Sequence, residues 1–197
     1  MKQTKELAYL LGSLCGDAQI TDRRIRLSSM NMEFIDSFKQ KVNCFLITSF
    51  IEYKDNQTNL NYVQFTNRDL IDFIIDEYGY MPSKDFVVPL FIQQTDDIEL
   101  ITYFLKSLFD SDGSVKNTGR QIRIQKISFS LYDVKKLFDK LNIESRMNII
   151  NRPTTKGNIV YELSITGKNN LKKFSEKVGF DIKHKQERLN FYLGDVV

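Results

Sequence analysis

Asp17 and Asp112 each stand eighth in a nine-residue stretch, LLGSLCGDA at 10–18 and LKSLFDSDG at 105–113, and the two stretches align without a gap at a constant offset of 95. An acid that closes an apolar helix is badly placed, because the helix dipole repels negative charge at its carboxyl end by about 0.3–1 kcal/mol and two such acids repel each other as well. Something positive belongs between them. A hard divalent cation that takes oxygen ligands, keeps some water and accepts its remaining ligands from a phosphate suits a pair of isolated carboxylates. The same stretches carry the means of bringing the acids together. Gly12 and Gly16 are one helical turn apart, as are Ser107 and Ser111, so each helix has a stripe of small residues on which a second backbone can close in.

Other chemistries compete for Asp110-Ser111-Asp112-Gly113. A calcium loop of the EF-hand type fails, since Gly113 would be fourth rather than sixth and Gln121 would occupy the twelfth position. SLFDSDGSV also resembles the first motif of haloacid-dehalogenase-type phosphatases, with Asp110 as nucleophile. That motif closes a strand of a parallel sheet, whereas IELITYFLKSLF has the period of a helix, and Cys15 stands where the first copy would need the same acid. For Asp112 taken alone, a solvated turn is as good a reading as a site. The second copy at Asp17 shifts the balance.

The segments after the two stretches repeat too. RRIRLSS (23–29) and RQIRIQKIS (120–128) alternate with the period of half-buried strands. MEFIDSFKQKVN (32–43) and LYDVKKLFDKLN (131–142) have apolar residues at three- and four-residue spacing, which predicts helices. A strand pair comes next, SFIEY with NYVQFT and RMNII with IVYELSIT, and a helix closes each unit, NRDLIDFIIDEYGY (67–80) and KNNLKKFSEKVGF (168–180). The expected class is α+β, with two αββαββα repeats at 1–94 and 95–197, a linker near 93–97, and a pseudo-twofold axis that centres the motif helices. Two copies are too few for a solenoid, which needs three or more.

Composition sets broad bounds. A net charge of +3 names no partner, although residues 1–94 hold 10 Lys and Arg against 12 acids while 95–197 hold 18 against 13, so the basic half is the second. Two cysteines and one histidine give neither a disulfide framework nor a zinc site. LAYLLGSLCG after Lys2 and Lys5 imitates a secretory signal, but a signal has no reason to recur mid-chain, and no stretch is long enough to span a bilayer. The expectation is a protein that is not secreted, located in the cytoplasm or an organellar matrix.

LKSLFDSDG and, more loosely, LLGSLCGDA resemble the LAGLIDADG motif of homing endonucleases in their single-chain, two-motif form, and the order of elements extends the resemblance over essentially the whole chain. The resemblance implies a pseudosymmetric monomer whose antiparallel sheets form a DNA-binding saddle. It makes Asp17 and Asp112 the metal-binding acids, with the neighbouring backbone of Ala18 and Gly113, and Gly12, Gly16, Ser107 and Ser111 the helix interface. Cys15 and Ala18 depart from the motif's Asp and Gly, and Ala18 makes a left-handed exit from the first helix less comfortable. The family keeps a basic residue near the scissile phosphates after each closing helix, which falls on Lys84 and Lys185.

The implied reaction is magnesium-dependent hydrolysis of both strands of a long double-stranded DNA site, leaving 3′ overhangs, with manganese able to substitute and calcium supporting binding without cleavage. The DNA-binding residues on this reading are Arg24, Arg26 and Ser28 with Tyr62, Gln64 and Thr66 in the first ribbon, and Gln121, Arg123 and Gln125 with Arg146, Asn148 and Arg152 in the second. Arginine and glutamine suit guanine and adenine edges in the major groove. A solvated sheet face explains any one of these residues equally well, and only their joint placement favours DNA. The alternatives within the fold are an RNA maturase acting on a host intron and a DNA-binding protein without activity. An intein is disfavoured by the lack of a splicing Cys at the start and a His-Asn pair at the end.

Overall fold

The computed structural model describes residues 1–21, 23–79, 86–150 and 158–194. Its centre is a pair of helices, α1 (Lys5–Cys15) and α5 (Ile98–Asp112). Both are apolar nearly all round, which is the pattern of a helix enclosed by protein, and from Leu7 to Cys15 every residue of α1 is buried. Each starts on a side-chain cap: Thr4 Oγ1 accepts from Leu7 N, and Asp97 Oδ1 accepts from Glu99 N and Leu100 N.

Each half then builds a four-stranded antiparallel sheet. In the first, β1 (Ala18–Thr21), β2 (Arg24–Ser29), β3 (Ile51–Lys54) and β4 (Asn61–Phe65) take the order β1-β2-β4-β3. In the second, β5 (Ser114–Val115), β6 (Gln121–Lys126), β7 (Arg146–Ile150) and β8 (Val160–Thr166) take the same order, β5-β6-β8-β7. Between the strand pairs lie α2 (Met32–Phe45) and α6 (Leu131–Lys140). The units close with α3 (Arg68–Tyr78) and α7 (Lys168–Lys177).

The αββαββα order thus holds twice, and the fold is α+β as the spacing predicts. Two helices are additional to it. α4 (Leu90–Gln94) follows the first unit, α8 (Lys183–Leu193) follows the second, and the chain at 95–97 joins α4 to α5.

Strand alternation sorts the faces. Ile25, Leu27, Val63 and Phe65 of the first sheet and Ile122, Ile124, Leu163 and Ile165 of the second are buried against the helices. Phe109 of α5, Phe138 of α6 and Phe174 of α7 meet in a ring cluster with centroids 5.4–6.1 Å apart. The motif helix is thereby fixed to the elements that carry the second sheet.

Candidate functional site

The crossing of α1 and α5 is built on absent side chains. A Cβ at Gly12 would overlap the backbone oxygen of Phe104, and one at Gly16 would overlap the side chain of Ser111. Ser107 lies against Gly12, and its hydroxyl shares a 2.5 Å hydrogen bond with Ser13 Oγ at the centre of the interface. The four small residues singled out by spacing are all in this contact. Because Gly12 meets residues 104 and 107 while Gly16 meets 111 and 112, the helices run in the same sense and their carboxyl ends arrive together.

That convergence places Asp17, just beyond α1, beside Asp112, the last residue of α5. The pKa of Asp17 is pushed up to about 6, first by the removal of water from around the carboxyl and then by the charge of Asp112, against the pull of Lys126 and Lys185. Asp17 nevertheless keeps an exposed side, so the desolvation is partial. Asp112 Oδ2 is buried and accepts no hydrogen bond among the described residues; its charge is met by an ion pair at 2.7 Å with Lys126 Nζ.

Lysine, rather than a metal alone, therefore supplies positive charge at the meeting of the helix ends. Lys126 Nζ also donates to Cys15 O at 3.1 Å, in the last turn of α1. Lys185 Nζ donates to Phe109 O at 3.1 Å and Asp110 O at 2.6 Å, in the last turn of α5. Each motif helix ends on a lysine at the negative end of its dipole. Burial lowers the Lys185 pKa, while Asp110, Asp17 and Asp112 oppose the shift.

Lys126 was absent from the set of residues that spacing suggested, yet its signal is in the sequence. In QIRIQK it shares parity with Ile122 and Ile124, the core-facing row, and a lysine in that row must find a buried partner. Its side chain is 9% exposed. Lys84 and Arg152 lie outside the described residues.

Two expectations are corrected. The residue after the second motif does not leave the helix in a left-handed conformation: Gly113 has φ −70° and ψ 146°, and Ala18 is not among the residues of positive φ. Glycine at 113 answers to space, since a Cβ there would overlap Phe109 O. The phosphatase reading also falls. The sheets are antiparallel throughout, and Asp110 is buried with its carboxylate accepting from Asp181 N and Ile182 N, ahead of α8. Burial, and then the charge of Asp181, push its pKa up to about 7. In the first copy Cys15 holds the matching place and its thiol faces Val87 O at 3.9 Å, so the offset of 95 persists in this contact from Ile182 to Val87.

The expected ribbon residues share one face of each sheet. In the first, register sets Arg26 between Gln19 and Gln64, and Ser28 beside Tyr62. Arg26 is held on both sides: its guanidinium lies 5.6 Å from the Tyr62 ring centroid, and with the Gln19 amide turned to present its oxygen, Gln19 accepts from Arg26 at 2.6 Å and 3.2 Å. Arg24 and Thr66 are exposed, and Gln64 is largely covered. In the second sheet Arg123 and Arg146 flank Ser164, while Gln125 and Asn148 flank Glu162; Gln121 pairs with Thr166.

A divalent ion is compatible with the acids present. Asp17 holds its proton unusually tightly, Asp112 Oδ2 is buried without a hydrogen bond, and no group of three or more His, Cys, Asp or Glu suited to a metal exists among the described residues. The protein would thus give two carboxylates, and the backbone of Ala18 and Gly113, water and phosphate would complete the set.

Two antiparallel sheets slung from a crossed pair of motif helices, with an acid at each helix end, define the two-motif LAGLIDADG fold. Residues 99–179 match the family of LAGLIDADG-like domains, to which the second repeat belongs. I-DmoI in complex with DNA and Mn superposes with a TM-score of 0.62 over 90% of this chain and 98% of that one, at 16% identity. The N-terminal LAGLIDADG domain of DUF199/WhiA superposes equally well, with a TM-score of 0.62 over 91% of this chain and 84% of that one, also at 16% identity. An uncharacterised protein of Methanocaldococcus jannaschii is 27% identical over 96% of this chain and 72% of its own length. A probable translation initiation factor IF-2 from the same organism is 28% identical over 96% of this chain, which spans 16% of that protein. No helix among the described residues is long and apolar enough to cross a membrane.

Proposed function

We propose that this chain is a site-specific endonuclease that cuts both strands of duplex DNA in a magnesium-dependent reaction, leaving 3′ overhangs and acting as a monomer. The observation that carries the reading is the joining of Asp17 and Asp112 at the carboxyl ends of the two packed helices, between sheets whose outer faces carry Arg24, Arg26, Arg123 and Arg146. Homing endonuclease I-DmoI has been solved with its DNA target in magnesium, and with DNA in calcium. Bound between the acids, magnesium would polarise the scissile phosphate and offset charge in the transition state. Asp17 and Asp112 hold it, while Lys126 and Lys185 keep positive charge beside the reacting phosphate. Lys84 serves the same end in the first half.

One observation favours a second reading. Lys126 already neutralises Asp112, as would suit a DNA-binding protein that does not cleave. Selection of cleaved sequences from a randomised duplex pool separates the two. The nuclease reading expects defined cut sites in magnesium and binding alone in calcium. Recovery of bound but uncut sites in both ions would establish the second reading.

A further inference from the structure

The outer face of the second sheet contains an acid. Glu162 sits between Gln125 and Asn148 in register, on the face that carries Arg123 and Arg146. A carboxylate on a surface meant for a polyanion weakens binding to every sequence alike, so its presence calls for a compensating role. Its contacts suggest one. Glu162 Oε2 accepts from Gln125 Nε2 at 2.6 Å and lies 3.5 Å from Arg123 NH1, and the acid is only 13% exposed. Arg123 Nε is turned towards Ser114 Oγ at 3.4 Å on its other side.

The first sheet makes the comparison. Ile25 pairs with Phe65 as Ile122 pairs with Ile165, so Arg26 corresponds to Arg123 and Tyr62 to Glu162. In both halves the central arginine is therefore steadied by the matching residue of the neighbouring strand, through a ring in the first and a carboxylate in the second. Gln125, the other group held by Glu162, replaces Ser28 of the first sheet.

We infer that Glu162 is a positioning residue for sequence recognition: it fixes Arg123 and Gln125 so that the second ribbon reads guanine and adenine edges, at the expense of general affinity for DNA. This role rests on the chain being a site-specific DNA-binding protein, as proposed for its function. A guanidinium delivers a bidentate contact to guanine O6 and N7 only when its plane is set, and an amide reads adenine N6 and N7 under the same condition. Holding both groups before DNA arrives reduces the ordering that binding would otherwise require.

The test is selection of bound duplexes from a randomised pool in calcium, with the wild type, Glu162→Ala and Glu162→Gln. The wild type should select a site in two unlike halves. Glu162→Ala should weaken the guanine or adenine preference at one or two positions of one half by about tenfold, leave the other half unchanged, and bind a duplex lacking the site as well as or better than the wild type. Glu162→Gln keeps an oxygen that can accept from Arg123 and should restore part of the preference. Unchanged preferences in Glu162→Ala, or an equal loss of affinity for all sequences, would overturn the inference while leaving a wild type that still selects a site. A wild type that selects nothing would instead overturn the site-specific reading, and this inference with it.

Discussion

Asp112 and Lys126 form the tightest charge pair at the candidate site, and each constrains what can be learned by mutating the other. Asp112→Asn should abolish cutting with little change in DNA affinity, yet it also leaves a lysine that is 9% exposed without its counter-charge. Stranding a buried charge costs on the order of 2 kcal/mol where some solvent remains, so a lower melting temperature should accompany the lost activity. Adding Lys126→Met should restore the melting temperature and leave cutting absent. Restored cutting in the double variant would show that Asp112 acts only on Lys126. Asp17 gives a pH signature. With its pKa pushed up to about 6, it is protonated below that value and a poor metal ligand, so single-turnover cleavage should decline as pH falls through about 6. Higher magnesium should move that midpoint downward, because metal competes with the proton.

Asp110 tests stability without reference to cleavage. Its pKa is pushed up to about 7 in the folded chain, above the ordinary value near 3.9 of an unfolded aspartate. The folded state thus binds the extra proton between those values, and stability falls as pH rises through the window. Asp110→Asn should flatten this part of the melting-temperature profile, and an unaltered slope would show that the carboxyl titrates elsewhere.

At the scale of elements, the helix crossing makes a sharper prediction than either acid. Gly12 faces the backbone oxygen of Phe104, which cannot move aside, whereas Gly16 faces the side chain of Ser111. Both Gly12→Ala and Gly16→Ala should destabilise the fold by about 1–3 kcal/mol through overpacking. Ser111→Gly should rescue only the second, and chemical denaturation of the four variants decides it. The crossing was legible because small residues one turn apart recur at the offset of 95. The larger strands were legible too, since Ile25, Leu27, Ile122 and Ile124 alternate with polar residues. β5, with two residues, and α4, with five, are too short to show a period, and tertiary pairing makes them. Lys126 was hidden for another reason. Alternation draws notice to the polar row as the surface, and a cation in the apolar row becomes meaningful only once α1 ends above it.

For the whole molecule, a net charge of +3 leaves little long-range attraction, so binding to DNA must come from cations concentrated on the two ribbons. Their arginines are not equivalent. Arg24 is exposed and makes no hydrogen bond or ion pair among the described residues, while Arg26 is clasped by Tyr62 and Gln19 and Arg123 by Glu162 and Ser114. A free guanidinium at the end of a strand is suited to phosphate, and a clasped one at the centre of the sheet to a base edge. Arg24→Ala should therefore weaken binding to all duplexes alike and reduce the slope of log K against log salt by about 1. Arg123→Ala should instead relax preference at one or two base pairs. Titrations of a selected site and an unrelated duplex at several salt concentrations separate these effects. If Arg24→Ala altered base preference while Arg123→Ala shifted only the salt slope, the assignment of free and clasped arginines would be reversed, and the first ribbon would meet DNA nearer its β1–β2 turn than its centre.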